Sequence, residues 1–127
     1  MTDKSVAQKL LIKENYKVLL INQPKDYKTS LGELPQNVTL LSKSTEPVDL
    51  VQVFVTSRKE LEAKLPQLKM LLKPKGLLWV SYPKGTSKIK VDINRDTIRE
   101  YAQSIKLEAV AMFSVDETWS ALRLKTT

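Results

Sequence analysis

The chain of 127 residues contains no cysteine and no histidine. The first absence removes disulfides, thiolate nucleophiles and cysteine metal sites together. The second removes the side chain most often used as a general base near neutral pH, and also the commonest metal ligand. Glycine occurs only three times, at Gly32, Gly76 and Gly85, so a glycine-rich phosphate loop has little to be built from. The eight Phe, Trp and Tyr residues are too few to furnish a broad base-stacking surface and a core at once. No apolar run approaches the ~18 residues of a membrane span, and Met1 to Leu11 is not built like a signal peptide. A cytoplasmic location and no membrane partner are therefore expected.

What is present is an ordinary globular composition, 42% apolar, in a length that suits one domain spanning residues 1–127. Lys and Arg number 21 against 14 Asp and Glu, a net charge of +7. Such a balance favours anionic partners. The lysines are nevertheless scattered, as on a solvated surface, and only Lys84, Lys88 and Lys90 cluster.

Along the chain, Ser5 to Ile12 reads as a short opening helix, and Lys17 to Ile21 as a buried strand ending at Asn22-Gln23-Pro24. Asp26 to Leu31 makes one helical turn, and Val38–Leu41 and Asp49–Val55 are further strands. Rich in Val, Ile and Leu on both faces, they suit a parallel sheet covered by helices. Ser57 with Glu60 forms a capping box. Leu61, Leu65, Leu68 and Leu72 then line one helix face, Pro66 predicts a kink, and Lys73-Pro74-Lys75-Gly76 closes the helix. Leu77 to Tyr82 is the fourth strand, and Asn94 caps a helix from Arg95 to Ile105. Leu107 to Val115 and Trp119 to Lys125 are joined by three residues, too few for a crossover, so they form an antiparallel hairpin.

This order of strand, helix, Leu72-Lys73-Pro74-Lys75-Gly76, buried strand, helix and closing hairpin resembles the second half of the Rossmann-like methyltransferases, where an "LKPGG"-like turn is common. Val55-Thr-Ser-Arg58, Trp79-Val-Ser-Tyr-Pro-Lys84 and Asp116 to Arg123 are similar to a group of small uncharacterised bacterial proteins with that outline. The resemblance implies an α/β, three-layer Rossmann-like sandwich, mostly parallel, with an antiparallel C-terminal hairpin. It implies S-adenosylmethionine only where the cofactor loop is kept. Here Ile21-Asn22-Gln23-Pro24-Lys25-Asp26 replaces the glycine-rich loop, and Leu41-Ser42-Lys43 lacks the acid expected after the second strand, with Glu46 a few residues on. No cofactor is therefore expected.

In open α/β sheets ligands lie beyond the carboxyl ends of the strands, near the switch point. That edge collects Asn22, Thr56, Ser57, Arg58, Lys84, Arg95, Asp116, Glu117 and Trp119 as candidate ligand-binding residues, with no catalytic and no metal-binding residue among them. Arg58, Lys84 and Arg95 are expected to face Asp92, Asp96, Asp116 and Glu117, either around an anionic ligand or as a latch. Ser57 lacks a histidine to activate it and reads as a cap. Asp116 and Glu117 are adjacent and tend to point apart, which weakens paired-carboxylate chemistry. An open cleft beside Asn22 and Thr56 would keep an enzyme reading alive, and a cleft filled by Tyr27, Leu31 or Tyr82 would end it. The expected function is a non-catalytic domain binding a protein partner, a second copy of itself or a small anionic ligand at this edge. The alternative is a divergent S-adenosylmethionine-dependent methyltransferase using Asn22, Thr56 and Lys84. A second alternative, weak nucleic-acid binding through Lys84, Lys88 and Lys90, has less to support it.

Overall fold

Continuous burial along the branched aliphatic strands places a layer of packing on each face of the sheet. The computed structural model describes residues 5–84 and 92–126, so Gly85, Lys88 and Lys90 lie outside the described residues. In chain order the elements are α1 (Val6–Lys9), β1 (Lys17–Ile21), α2 (Tyr27–Leu31), β2 (Thr39–Leu41), β3 (Val48–Phe54), α3 (Arg58–Met70), β4 (Leu72–Pro83), α4 (Arg95–Ser104), β5 (Leu107–Ser114) and β6 (Trp119–Thr126). The six strands form one sheet in the order β2-β1-β3-β4-β6-β5. β2, β1, β3 and β4 run parallel, and β6 enters antiparallel between β4 and β5. The expected mostly parallel sandwich with an antiparallel hairpin is the observed architecture. Among the described residues no helix is long and apolar enough to cross a membrane.

Two cores follow from the period of two along each strand. Val51, Val53 and Val55 join Leu61, Leu65, Leu78, Val80 and Ile98 on the side covered by α3 and α4. Leu50 and Phe54 join Val18, Leu20, Tyr27, Leu31 and Trp79 on the side covered by α1 and α2. The Trp79 indole donates from Nε1 to the Leu10 carbonyl at 3.0 Å, tying α1 to the sheet. One polar chain runs through this second core. The Tyr27 hydroxyl donates to Gln52 Oε1 at 2.8 Å, and Gln52 Nε2 donates to Ser81 Oγ at 2.9 Å. Burial pushes the Tyr27 phenol well above its ordinary range, and the nearby Asp116 carboxylate adds to the shift.

Several sequence expectations need correction. The opening helix stops at Lys9, because Leu11 takes a left-handed φ of 68°. The Leu72-Lys73-Pro74-Lys75-Gly76 segment does not close α3. It opens β4, as a bulge in which Val48 faces Leu72 but Leu50 faces Leu77. Two residues of β3 thus oppose five of β4, and Lys75 takes a left-handed φ of 66° to absorb the excess. A Cβ on Gly76 would lie 2.8 Å from the Lys73 carbonyl oxygen, so this position admits only glycine. α3 itself runs on through Pro66. Proline cannot donate to the carbonyl four residues back, Glu62. The Tyr101 hydroxyl from α4 donates to that carbonyl instead, at 3.3 Å.

The step from β2 to β3 uses only residues 42–47 and contains no helix, although it must pass β1. Parallel crossovers usually need a dozen or more residues. The three-residue length of β2 makes the short return feasible.

Removing the Ser81 hydroxyl strands a buried amide donor. Ser81→Ala is expected to destabilise the fold by about 1–3 kcal/mol, read as a lower urea midpoint at unchanged slope; a loss below the error of the measurement would show that Gln52 has another partner.

Candidate functional site

The order of the sheet reverses between β1 and β3, and the loops leaving these two strands flank the crevice at which α/β proteins bind ligands. Ile21 lies opposite Val53, so the exposed Asn22 and Thr56 stand on the two sides of that point. Asn22 has φ 58° and Asp26 has φ 63°. Asparagine and aspartate enter the left-handed region more readily than other non-glycine residues. The turn after β1 therefore bends by glycine-like conformations without glycine, and Pro24 sits between them. Tyr27 and Leu31, which follow, are buried in the core under α2, with the Tyr27 hydroxyl reaching back to mid-strand Gln52. Tyr82 is buried on the opposite face of the sheet.

On the β3 side, Ser57 caps α3 by accepting from the Glu60 amide at 3.1 Å. The reciprocal half of the expected box is displaced by one residue. Glu60 Oε1 accepts from the Thr56 amide at 3.0 Å and from the Thr56 hydroxyl at 2.8 Å. The Thr56 amide hydrogen bond, chiefly, holds the Glu60 carboxyl below the usual carboxylate range. Arg58 offers its backbone amide, not its guanidinium, to Asp92 Oδ1 at 2.9 Å.

The other half of the edge closes on itself. Lys84 Nζ donates to Ser114 Oγ at 2.5 Å, and its amide donates to the Thr118 carbonyl at 2.8 Å. Asp116 Oδ1 accepts from the amides of Thr118 and Trp119, both at 2.8 Å, and so shapes the turn between β5 and β6. Trp119 packs edge-on against Phe54 at 5.1 Å between centroids, and Phe54 against Tyr27 at 4.8 Å. Glu117 is exposed. Arg95 Nε meets its neighbour Asp96 at 3.9 Å, and both line a shallow cavity of about 350 Å³ with Tyr82, Asn94 and Met112. The expected meeting of Arg58, Lys84 and Arg95 with Asp92, Asp96, Asp116 and Glu117 is thus reduced to one backbone contact and one loose pair.

Glu46 does not serve as the missing acid of β2. The return loop carries it to the opposite end of β1, where it lies 3.8 Å from Lys17 Nζ. Sequence reasoning also missed that Gln52, within β3, anchors Tyr27 beneath this edge and that Glu60 grips Thr56 at it. A glutamine in the middle of a run of valines was the available sign for the first.

No family model matches the chain, and no curated protein matches it in sequence. Solved structures do match in shape. The complex of DhpI with SAH has a TM-score of 0.66 at 13% identity, over 95% of this chain and 82% of DhpI. A SAM-dependent methyltransferase from Aquifex aeolicus has a TM-score of 0.62 at 16% identity, over 93% of this chain and 88% of that one. A SAM-dependent methyltransferase from Thiobacillus denitrificans, in complex with S-adenosyl-L-homocysteine, has a TM-score of 0.61 at 11% identity, over 100% and 92%. The chain therefore has a methyltransferase-like Rossmann fold. The expectation of no cofactor is corrected by the same finding: neighbours that superimpose along nearly the whole chain are complexes with the methyl donor's product. Asn22 and Asp26 take the left-handed φ for which the expectation had required glycine, while the acid expected after β2 is still lacking.

Because the folded carboxyl of Glu60 is held low, its contribution is present above about pH 4.5, the ordinary value, and is lost as pH falls through the depressed one. Urea unfolding should find wild type more stable than Glu60→Gln at pH 7, with the gap closing in acid. A gap that stays constant down to pH 3 would contradict this.

Proposed function

We propose that this chain is a divergent S-adenosylmethionine-binding domain that holds the adenosyl ligand at the switch point between β1 and β3. The observation that carries the reading is the likeness in shape to the methyltransferase neighbours above, over 93–100% of this chain. The residues fit the ligand in part. The left-handed turn at Asn22 allows close backbone approach, and the exposed side chains of Asn22 and Ser42 are the polar groups available to sugar hydroxyls. A carboxylate at the end of β2 is lacking, since Ser42 and Lys43 stand there. Weaker binding than a carboxylate would give follows from this.

When bound, S-adenosylmethionine supplies an electrophilic methyl group on a sulfonium. The chain's contribution is then to position and enclose. Asn22 and Thr56 would stand on either side of the ligand, the helix start at Ser57 fixes the β3 loop, and Trp119, packed on the buried Phe54, would wall the edge. With no histidine in the sequence, a general base would have to be a carboxylate or a lysine.

A second reading, a domain that binds its ligand or a protein partner without turnover, is favoured by a separate observation. The polar groups of Thr56, Ser57, Lys84 and Asp116 are all engaged in holding loops in place.

A thermal-shift titration with S-adenosylmethionine and its demethylated product separates the outcomes. Saturation at about 100 times the dissociation constant should stabilise by roughly 2.7 kcal/mol, several degrees for a domain of this size. Asn22→Val should weaken binding at least about tenfold, because a β-branched residue resists the left-handed turn. Absence of saturable binding at millimolar ligand sinks the first reading; binding without transfer to any acceptor in a crude extract favours the second.

A further inference from the structure

At the opposite end of the sheet the bulge of β4 and the end of β6 enclose a cavity of about 620 Å³, within the range of small-molecule sites. Lys69, Lys73, Lys75, Arg123 and Lys125 line it, with Leu72, Pro74 and Leu77 as apolar wall. No acidic residue is among its lining. Two of the cations are already engaged: Lys73 Nζ lies 3.3 Å from Asp49 Oδ1, and Lys69 Nζ donates to the Ile105 carbonyl at 2.6 Å. Asp49 is itself fixed, because its Oδ2 accepts from the Lys17 amide at 2.8 Å. Among the described residues, Lys75, Arg123 and Lys125 have no carboxylate partner. Like charges converging on one concavity repel unless an anion joins them.

Lys75 is the informative member. It holds φ 66° inside a strand bulge, beside a Gly76 that the tight turn demands. Glycine at position 75 would take that conformation without strain, and lysine takes it at a cost. The wall of Leu72, Pro74 and Leu77 suits a compact ligand with an apolar part, and the three unpaired cations suit clustered phosphates.

We propose that this cavity is a second ligand site, separate from the β1–β3 edge, for a small polyphosphorylated molecule of nucleotide size. Lys75, Arg123 and Lys125 bind the phosphates, while Lys73 and Lys69 keep the rim in shape through Asp49 and Ile105.

Calorimetric titration of the full chain with inorganic triphosphate and with uridine triphosphate, at low salt, tests this. Both should bind at one site per chain, and affinity should fall as salt rises. Uridine triphosphate should bind the tighter, because only it reaches the apolar wall. Lys75→Gly has an expected double signature: a higher unfolding temperature from relieved strain, together with a roughly five- to tenfold loss of triphosphate affinity. Lys125→Gln should lose affinity with no gain in stability. S-adenosylhomocysteine should not displace the triphosphate, which keeps this result independent of the edge site. The proposal is overturned if neither triphosphate binds at millimolar concentration, if both variants bind as wild type does, or if a twelve-residue oligothymidylate binds more tightly than either.

Discussion

Everything in this molecule hangs on β3, which is buried on both faces and hydrogen-bonded along both edges. A strand in that position must satisfy its backbone through its neighbours and its side chains through two separate cores. Val51 and Val53, with Val55 just past the strand, belong to the α3–α4 side, and Leu50, Gln52 and Phe54 to the α1–α2 side. A register slip of one residue would carry Gln52 into the valine-rich core and strip it of Tyr27 and Ser81. The buried amide therefore acts as a key for register, and register in turn fixes how far Asn22 and Thr56 project beyond the sheet.

The same strand explains why the two ends of the sheet differ in character. At its carboxyl end the neighbouring loops exchange hydrogen bonds that shape turns, through Glu60, Asp92 and Asp116. At its amino end Asp49 serves both the Lys17 amide and Lys73, and Glu46 lies near the Lys17 ammonium. Five cations from scattered positions in sequence thus meet in space at the end of the sheet away from the switch point.

The central strands and the closing hairpin were legible from sequence because their signals are local. Lys17–Ile21 is a continuous aliphatic run bounded by a turn, and three residues between Val115 and Trp119 leave no room for a crossover. The caps at Ser57 and Asn94 were legible for the same reason. The misreadings fall where distant segments decide. Lys73-Pro74-Lys75-Gly76 reads as a helix stop, yet pairing with β3 draws it into a strand as a bulge. Glu46 is near the end of β2 in sequence, but a return loop without a helix takes it to the other end of the sheet. Ion pairing inferred from shared placement at an edge failed for Arg58, because a backbone amide met Asp92 first. Glycine was counted as the source of left-handed turns, and Asn22 and Asp26 supply them instead.

The insertion of β6 between β4 and β5 sets an order of assembly. A chain emerging from the ribosome as far as Ser114 already holds β5, yet β5 has no place in the sheet, because the strand that joins it to β4 has not been made. Until Trp119–Thr126 arrives, the backbone edge of β4 that it will pair with stays open from Leu78 to Pro83. Vectorial synthesis thus leaves the central sheet incomplete until its penultimate position is filled by the segment translated latest among those described. A nascent domain of this topology needs that flank shielded during translation, and premature termination before residue 119 yields an adhesive fragment, not a smaller fold.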